Sequence, residues 1–274
     1  LEPAEGPPGS RPSLPESLSA GEVEVALACP FRFFAERILG IEPLREAGPA
    51  VTPLERGKRI HRVLRLFTAE LRGKNLDFLA ERQRLVSILE ACVDTALADL
   101  RGKPEWETER RLWLGEKSAD PDEPPGILMA WLAAEAARRS EGWNIIGEEL
   151  RFEKLRGPGW SFEVRGRMDR VDIHDTKGLV VWDYKTGVPP KVKEVLTQFR
   201  APQLPLYLLA LRRGHLAPSG VPAEAGGLSA GYIRLKSAGQ FKMMPLGPKG
   251  FSWKECLDRW EQVIAELGSV LSGN

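Results

Sequence analysis

Residues 161–185 contain two strand-like segments joined by a short turn, and this pairing restricts the fold more than any other feature. The segments SFEVRGRMDRVDI and LVVWDYK are separated by HDTKG, five residues that end in glycine. A turn of this length and composition is typical of an antiparallel hairpin. A turn symmetric about Thr176 predicts three opposed pairs: Ile173–Leu179, Val171–Val181 and Asp169–Asp183. The hairpin would therefore bring two aspartates together.

The predicted hairpin also places a lysine beside these acids. Directly opposed residues lie about 4.5–5.5 Å apart at Cβ, where two carboxylates destabilise the pair unless a cation binds them. Because side chains alternate along a strand, Lys185 projects to the same face as Asp183, while Trp182 and Tyr184 pack on the other face. An exposed Asp–Lys ion pair is the common alternative, but this strand is apolar on both faces. Two acids and a lysine suit metal-dependent phosphodiester hydrolysis.

The rest of the chain predicts helices first and a mixed region afterwards. Hydrophobic periodicity predicts helices at 20–39 with a break at Pro30, 52–72, 78–100, 126–141, 191–213 and 252–271. Strands are expected at 144–152, 161–173, 179–185, 230–236 and 241–244, with one short element within 101–125 and a loop at 214–227. The order predicts an α/β fold in which a helical subdomain, 19–142, precedes a sheet-bearing core, 143–274. Residues 1–18 are rich in Pro, Gly, Glu and Ser, which predicts a flexible linker at the edge of a domain in a longer polypeptide.

Composition excludes several classes of function. The 39 Lys and Arg balance 38 Asp and Glu, so any binding of nucleic acid must come from local clusters of charge. Cys29, Cys92 and Cys256 form no C-x-x-C pair, which argues against a zinc site and a disulfide framework. There is no Walker A motif and no apolar run of membrane-spanning length, so we expect no ATP hydrolysis, no membrane partner and a cytoplasmic location.

Several motifs together resemble one known family. GRMDRVD is followed by DYKTG and then PQLPLY, and CPFRFFAERILGI and GKRIH lie upstream. In this order, over about residues 29–211, they resemble the nuclease domain of the RecB and AddB group in the PD-(D/E)XK superfamily. The resemblance implies a restriction-endonuclease-like mixed sheet flanked by helices, with 143–274 as the nuclease core. One departure is Met168, which stands where the family motif has proline.

The resemblance also implies the roles of individual residues. His61, Asp169, Asp183 and the backbone carbonyl of Tyr184 would bind the catalytic metal, Mg²⁺ or alternatively Mn²⁺, and Lys185 is the motif lysine. Gln203 and Tyr207 match a Q-x-x-x-Y element, and residues four apart share a helix face. A packed or solvated histidine is the alternative for His61, which lies at the flank of its helix's apolar stripe. Gly57, one turn earlier, would allow another group to approach that helix closely.

The same resemblance bears on an iron–sulfur cluster, which many AddB-like proteins hold with four cysteines. Cys29 occupies the first of those places, but only Cys256 lies near the C-terminus. Since four thiolate ligands are needed, we predict no cluster and no zinc.

Basic residues around these motifs predict a DNA substrate. They form two clusters: Arg56, Lys58, Arg59, Arg62 and Arg65, and then Lys191, Lys193, Arg200, Arg212 and Arg213. Of these we expect Arg59 and Arg62 to contact DNA, together with Arg167, Thr186, Gln203 and Tyr207. The predicted activity is a Mg²⁺-dependent DNase, an exonuclease on single strands supplied by a helicase region of the same polypeptide or a partner subunit during double-strand-break repair. The alternatives are a catalytically silent DNA-binding domain and a stand-alone nuclease of another pathway.

Overall fold

The computed structural model describes residues 14–41, 51–72, 74, 76–115, 125–215, 227–236, 241–247 and 250–272. Its strands are β1 (Ser17–Ser19), β2 (Asn144–Leu155), β3 (Glu163–His174), β4 (Gly178–Lys185), β5 (Leu228–Leu235) and β6 (Phe241–Pro245). They form one sheet in the order β1-β3-β4-β5-β6, with β2 paired to β3. The β1–β3 and β4–β5 pairs are parallel and the others antiparallel, so the sheet is mixed, as predicted.

Strand β3 has three partners, and this arrangement opens the sheet at one point. Strand β2 pairs with β3 along one edge, from Val164 to Ile173. On the other edge, β1 pairs with residues 163–165 and β4 with residues 170–174. Residues 166–169 therefore lie between the two partners, where no strand of the described chain covers that edge.

Helices cover both faces of the sheet. They are α1 (Ala20–Ala28), α2 (Pro30–Phe33), α3 (Pro53–Leu71), α4 (Arg82–Ala96), α5 (Pro104–Leu114), α6 (Ile127–Ser140), α7 (Val192–Leu196), α8 (Gln203–Arg212) and α9 (Trp253–Ser272). A π-helical turn, Phe34–Ile38, follows α2, and a 3₁₀ turn, Ala98–Leu100, follows α4. None of the helices in the described ranges combines the length and the apolar character that crossing a membrane requires.

The starts of the helices follow from local sequence. Ser19 and Thr52 each form a capping box with the glutamate three residues later, at the starts of α1 and α3. Pro30 sits in the first turn of α2, where its missing N–H costs nothing, and this explains the predicted break. The buried residues of α3 are the predicted apolar stripe: Ile60, Val63, Leu64, Phe67 and Leu71.

Two apolar cores lie on the two faces of the sheet. One contains Val171 and Val181 and packs against α1, α8 and α9. The other contains Val180, Trp182 and Tyr184 and packs against α3 to α6. The helices of residues 19–142 are thus divided between the faces, and a separate helical subdomain for this range remains a proposal.

Three sequence predictions need correction. The predicted linker extends too far, because residues 17–19 form β1 on β3 and Leu18 is 1% exposed in the first core; residues 1–13 lie outside the described residues. The single helix expected at 191–213 is two helices, α7 and α8, separated where Phe199 adopts a positive φ of 52° and Pro202 precedes α8. The short element expected in 101–125 is the 11-residue helix α5. Most of the predicted loop at 214–227 lies outside the described residues.

Candidate metal centre

The β3–β4 hairpin has the predicted register. Ile173 pairs with Leu179 and Val171 with Val181, and the last pair of the ladder is Arg170–Trp182. Continuing this register by one step places Asp169 opposite Asp183, at the point where β3 loses its partner on that edge. Both aspartates are buried, with 8% and 1% of their surface exposed.

Asp169, His61 and the backbone of Tyr184 form one hydrogen-bonded group. Asp169 Oδ2 accepts a 2.9 Å hydrogen bond from the Tyr184 backbone N–H. The two ring nitrogens of His61 face two oxygens: Nδ1 lies 3.5 Å from Asp169 Oδ1, and Nε2 lies 3.2 Å from the Tyr184 carbonyl oxygen. Burial lowers the pKa of His61, but the hydrogen bond and charge of Asp169, helped by Asp183, outweigh burial and raise it. Helix α3 thus brings three of the predicted metal ligands together.

Glycine at position 57 allows this approach of α3 to the end of β4. A Cβ atom at Gly57 would lie 3.2 Å from Thr186 Oγ1, closer than side chains usually pack. The close approach expected from the sequence at Gly57 is therefore present, with Thr186 as the neighbour.

The groups around Asp183 have opposing effects on the pKa of its carboxyl group. Burial and then the negative charge of Asp169 raise its pKa to about 7, against the opposing effects of Lys185 and His61. Lys185 Nζ lies 2.7 Å from Asp183 Oδ2, yet this oxygen accepts no hydrogen bond of acceptable geometry within the described residues. The ion pair with Lys185 therefore compensates this buried oxygen in place of a regular hydrogen bond.

A polar chain continues from Lys185 into helix α8. Lys185 Nζ donates a 2.9 Å hydrogen bond to Gln203 Oε1, and Gln203 Nε2 donates one of 2.9 Å to the hydroxyl oxygen of Tyr207. Tyr207 is buried and its ring packs edge-to-face on Phe152, with 5.9 Å between centroids. The predicted Gln–Tyr pair therefore reaches the site, where it holds the lysine.

Glu149 joins the site, although the sequence pattern did not predict it. One ligand atom each from His61, Glu149 and Asp169 lies within 4.8 Å of the others, a grouping found within the described ranges of the chain. Glu149 has a positive φ of 52°, a conformation that few residues other than glycine adopt and that is favoured at functional sites. Glu149 also forms an ion pair with Arg167, which was predicted to contact DNA: Arg167 Nη1 lies 2.5 Å from Glu149 Oε2. An irregular backbone inside a long strand leaves no mark in the sequence, so only the structure could find Glu149.

These side chains line one cleft of about 640 Å³ between α3 and the open edge of β3. The lining includes the predicted residues His61, Arg62, Arg167, Asp169, Asp183, Tyr184, Lys185, Thr186, Gln203 and Tyr207. Lys58 and Arg65 also line it, beside Arg62 on α3.

Other predicted basic residues lie elsewhere. Arg59 forms two 2.7 Å hydrogen bonds with Asp99 and one of 2.8 Å with the Ala96 carbonyl oxygen, and it is absent from the described lining of the cleft. Arg56 is paired with Glu109. Arg212 and Arg213 both contact Glu261 of α9. These four arginines therefore pair with other parts of the fold, outside the described lining of the cleft.

The donor atoms of the cleft fit a divalent cation. Carboxylate and carbonyl oxygens are the preferred ligands of Mg²⁺ and Mn²⁺, and imidazole is a common additional ligand of divalent metals. Asp169, Asp183 and the Tyr184 carbonyl supply such oxygens, and His61 supplies a nitrogen. Burial and the charge of Asp169 raise the pKa of Asp183, and a bound cation would offset both effects by favouring the ionised carboxylate.

Comparisons with known proteins agree with this geometry. A family model described as the PD-(D/E)XK nuclease superfamily matches residues 17–273. Together with the mixed sheet and its flanking helices, this match confirms the predicted resemblance and the restriction-endonuclease-like fold class.

Three curated relatives show the extent of the similarity. An ATP-dependent helicase/deoxyribonuclease subunit of Moorella thermoacetica is 28% identical over 227 residues, which cover 78% of this chain and 19% of that protein. An uncharacterized protein of Rickettsia bellii is 23% identical over 235 residues, covering 81% of this chain and 26% of that protein. An uncharacterized protein of Rickettsia conorii is 24% identical over 186 residues, which cover 67% of this chain and 20% of that protein. The chain thus spans about a fifth to a quarter of the length of these relatives.

Proposed function

Since the chain belongs to the PD-(D/E)XK nuclease superfamily, we propose that it is a Mg²⁺-dependent nuclease, able to use Mn²⁺, that hydrolyses phosphodiester bonds in single-stranded DNA. One observation carries the proposal: α3, β3 and β4 bring His61, Asp169, Asp183, the Tyr184 carbonyl and Lys185 into a single cleft. A catalytically silent domain has no need to keep two buried acids and a lysine in this arrangement.

The residues of the cleft would have different roles in the reaction. His61, Asp169, Asp183 and the Tyr184 carbonyl would hold the metal, with Glu149 close enough to contribute. The bound metal would activate a water molecule and polarise the scissile phosphate. Lys185 is oriented by Asp183 and Gln203, so its ammonium group can hold the attacking water or stabilise the negative charge that develops on the phosphate. Tyr207 supports this orientation through Gln203.

The basic walls of the cleft would guide the DNA. Lys58, Arg62 and Arg65 lie on the α3 side, and Arg167 and Thr186 lie on the strand side. Contacts of this kind neutralise phosphates and carry no base sequence information, so we expect binding without sequence specificity. We do not place Arg59 on this path, because it pairs with Asp99 and is absent from the described lining of the cleft.

For the cellular role, we propose an exonuclease that processes double-strand breaks in the cytoplasm together with a helicase. The name of the Moorella relative joins helicase and deoxyribonuclease activities, and this chain matches 19% of that protein. The helicase region would lie in the same polypeptide or in a partner subunit.

The activity is tested with end-labelled single-stranded DNA, with and without Mg²⁺. We expect cleavage only with the metal, and a loss of at least about 100-fold in rate for Asp183→Ala and for Lys185→Met, because a single catalytic donor is worth about this much. The turn of the same hairpin offers matched controls, Asp175→Ala and Lys177→Met, since both side chains are exposed and lie outside the cleft.

Cleavage without metal, or equal cleavage by Asp183→Ala and Asp175→Ala, would contradict the proposal. Binding of the labelled strand without any cleavage by the wild-type protein would instead favour a catalytically silent DNA-binding domain.

A further inference from the structure

Behind the catalytic hairpin lies a buried cluster of charged side chains. We call it the Arg170 cluster, and its members are Glu135, Arg138, Arg170, Asp172, Trp182 and Tyr184. Glu135, Arg170 and Asp172 are 2%, 1% and 0% exposed. None of these three lines the cleft as the described residues define it, so the proposed reaction has no direct use for them.

Arg170 uses all of its N–H groups in this cluster. Its guanidinium donates two hydrogen bonds to Glu135, of 2.5 and 2.9 Å, and two to Asp172, of 2.6 and 2.9 Å. A weaker one, of 3.4 Å, reaches the Tyr184 hydroxyl. Since arginine has five N–H donors, the side chain is fully satisfied, and its orientation is fixed on every side.

Asp172 connects the cluster to β4 and to α6. Its Oδ2 atom accepts hydrogen bonds of 3.0 Å from Trp182 Nε1 and 2.8 Å from Arg138 Nη2. Arg138 in turn lies over the rings of Trp143 and Trp182, at 4.5 and 5.2 Å from their centroids. Side chains from two strands and one helix are therefore tied together at one place.

The cluster is adjacent to the atoms of the candidate metal centre. Arg170 follows Asp169 in β3 and is opposite Trp182, the residue before Asp183. Tyr184 contacts Arg170 through its hydroxyl group, while its backbone N–H binds Asp169 and its carbonyl faces His61. Since a slip of one residue would send every side chain of a strand to the opposite face, the relative position of β3 and β4 decides where both acids lie.

We propose that Arg170 is a positioning residue, which fixes β3 against β4 and so sets the geometry, and hence the affinity, of the metal site at Asp169, Asp183 and Tyr184. This inference rests on the proposed function. A cluster that served stability alone could be replaced by well-packed apolar residues at little cost. A fully hydrogen-bonded ionic cluster beside the proposed metal ligands therefore indicates that the relative position of β3 and β4 must be exact.

The test measures Mn²⁺ binding by isothermal titration calorimetry and unfolding by circular dichroism, at a temperature where each variant is folded. Arg170→Lys keeps a positive charge between Glu135 and Asp172 but loses the forked set of donors. We expect it to bind Mn²⁺ at least about 10-fold more weakly than wild type, the usual effect of losing a group that orients metal ligands. Glu135→Gln, a milder change in the same cluster, should weaken binding in the same direction, and it decides the question if Arg170→Lys does not fold.

Glu261→Gln is the matched control, because Glu261 is a partly buried acid that binds two arginines, Arg212 and Arg213, in α9 away from the described lining of the cleft. It should lower the melting temperature and leave Mn²⁺ affinity unchanged. Unchanged affinity in the folded Arg170 and Glu135 variants, or an equal loss in Glu261→Gln, would overturn the inference. Equal binding by wild type and Asp169→Ala would instead overturn the proposed metal site.

Discussion

At the scale of single residues, the proposed metal site depends on the protonation of Asp183. Burial and the neighbouring Asp169 raise its pKa from the ordinary 3.8 to about 7, although Lys185 and His61 act in the opposite direction. The pKa of His61 is also raised, because Asp169 stabilises its protonated form more than burial disfavours it. Both groups therefore hold protons at a pH where their exposed counterparts would have fewer.

These shifts predict that metal affinity increases with pH. A divalent cation binds the ionised carboxylate and the neutral imidazole, so it must displace protons below pH 7. We expect the Mn²⁺ dissociation constant to rise by about tenfold for each pH unit below 7 if one proton is displaced, and by more if His61 also releases one. Calorimetric titrations at pH 6, 7 and 8 check this expectation, and a constant affinity across that range would contradict it.

Stability without metal should change in the opposite direction. A carboxyl group whose folded-state pKa is raised stabilises the folded protein fully below its unfolded value, 3.8, and loses that contribution as pH rises through about 7. The raised pKa of His61 acts in the same direction, because folding favours its protonated form. Divalent metal should therefore stabilise the protein most above pH 7.

At the scale of elements, the hairpin and the apolar stripe of α3 were predictable, because both follow from the spacing of apolar residues along the sequence. The position of Arg59 was not predictable from helix spacing, because Arg62, one residue from His61, lines the cleft, whereas Arg59, two residues from His61, pairs with Asp99. Glu149 could not have been found, because its position depends on a left-handed backbone conformation inside β2.

Strand β1 was not predicted, because three residues beside a segment rich in Pro and Gly are too few to show the alternation of apolar and polar residues that indicates a strand. The structure predicts that this short strand matters for stability. Leu18 is 1% exposed, and truncation of a buried leucine costs about 2–5 kcal/mol, so Leu18→Ala should lower the free energy of unfolding by that amount. Urea denaturation measures the change.

Leu79→Ala is the control for this prediction, because Leu79 is 68% exposed and its truncation should change stability by less than about 0.5 kcal/mol. Equal effects of the two substitutions would return residues 17 and 18 to the linker predicted from the sequence.

At the scale of the whole molecule, the fold brings together parts of the chain that are distant in sequence. His61 comes from α3, on one face of the sheet, while Asp169 and Asp183 come from β3 and β4, and Gln203 comes from α8. The unpaired edge of β3 between β1 and β4 leaves room for the cleft. Most of these residues were predicted from the sequence. The hairpin pattern predicted the two acids, but only the family resemblance predicted that His61 lies beside them.

The central claim is that this convergence forms a divalent metal site, and a crystal of the wild-type protein soaked with Mn²⁺ tests it most directly. We expect one strong anomalous peak in the cleft, about 2.0–2.3 Å from oxygens of Asp169, Asp183 and the Tyr184 carbonyl, with a nitrogen of His61 in the same coordination shell. A peak held by other residues, or a cleft without a peak in a crystal where Mn²⁺ binds elsewhere, would contradict the account.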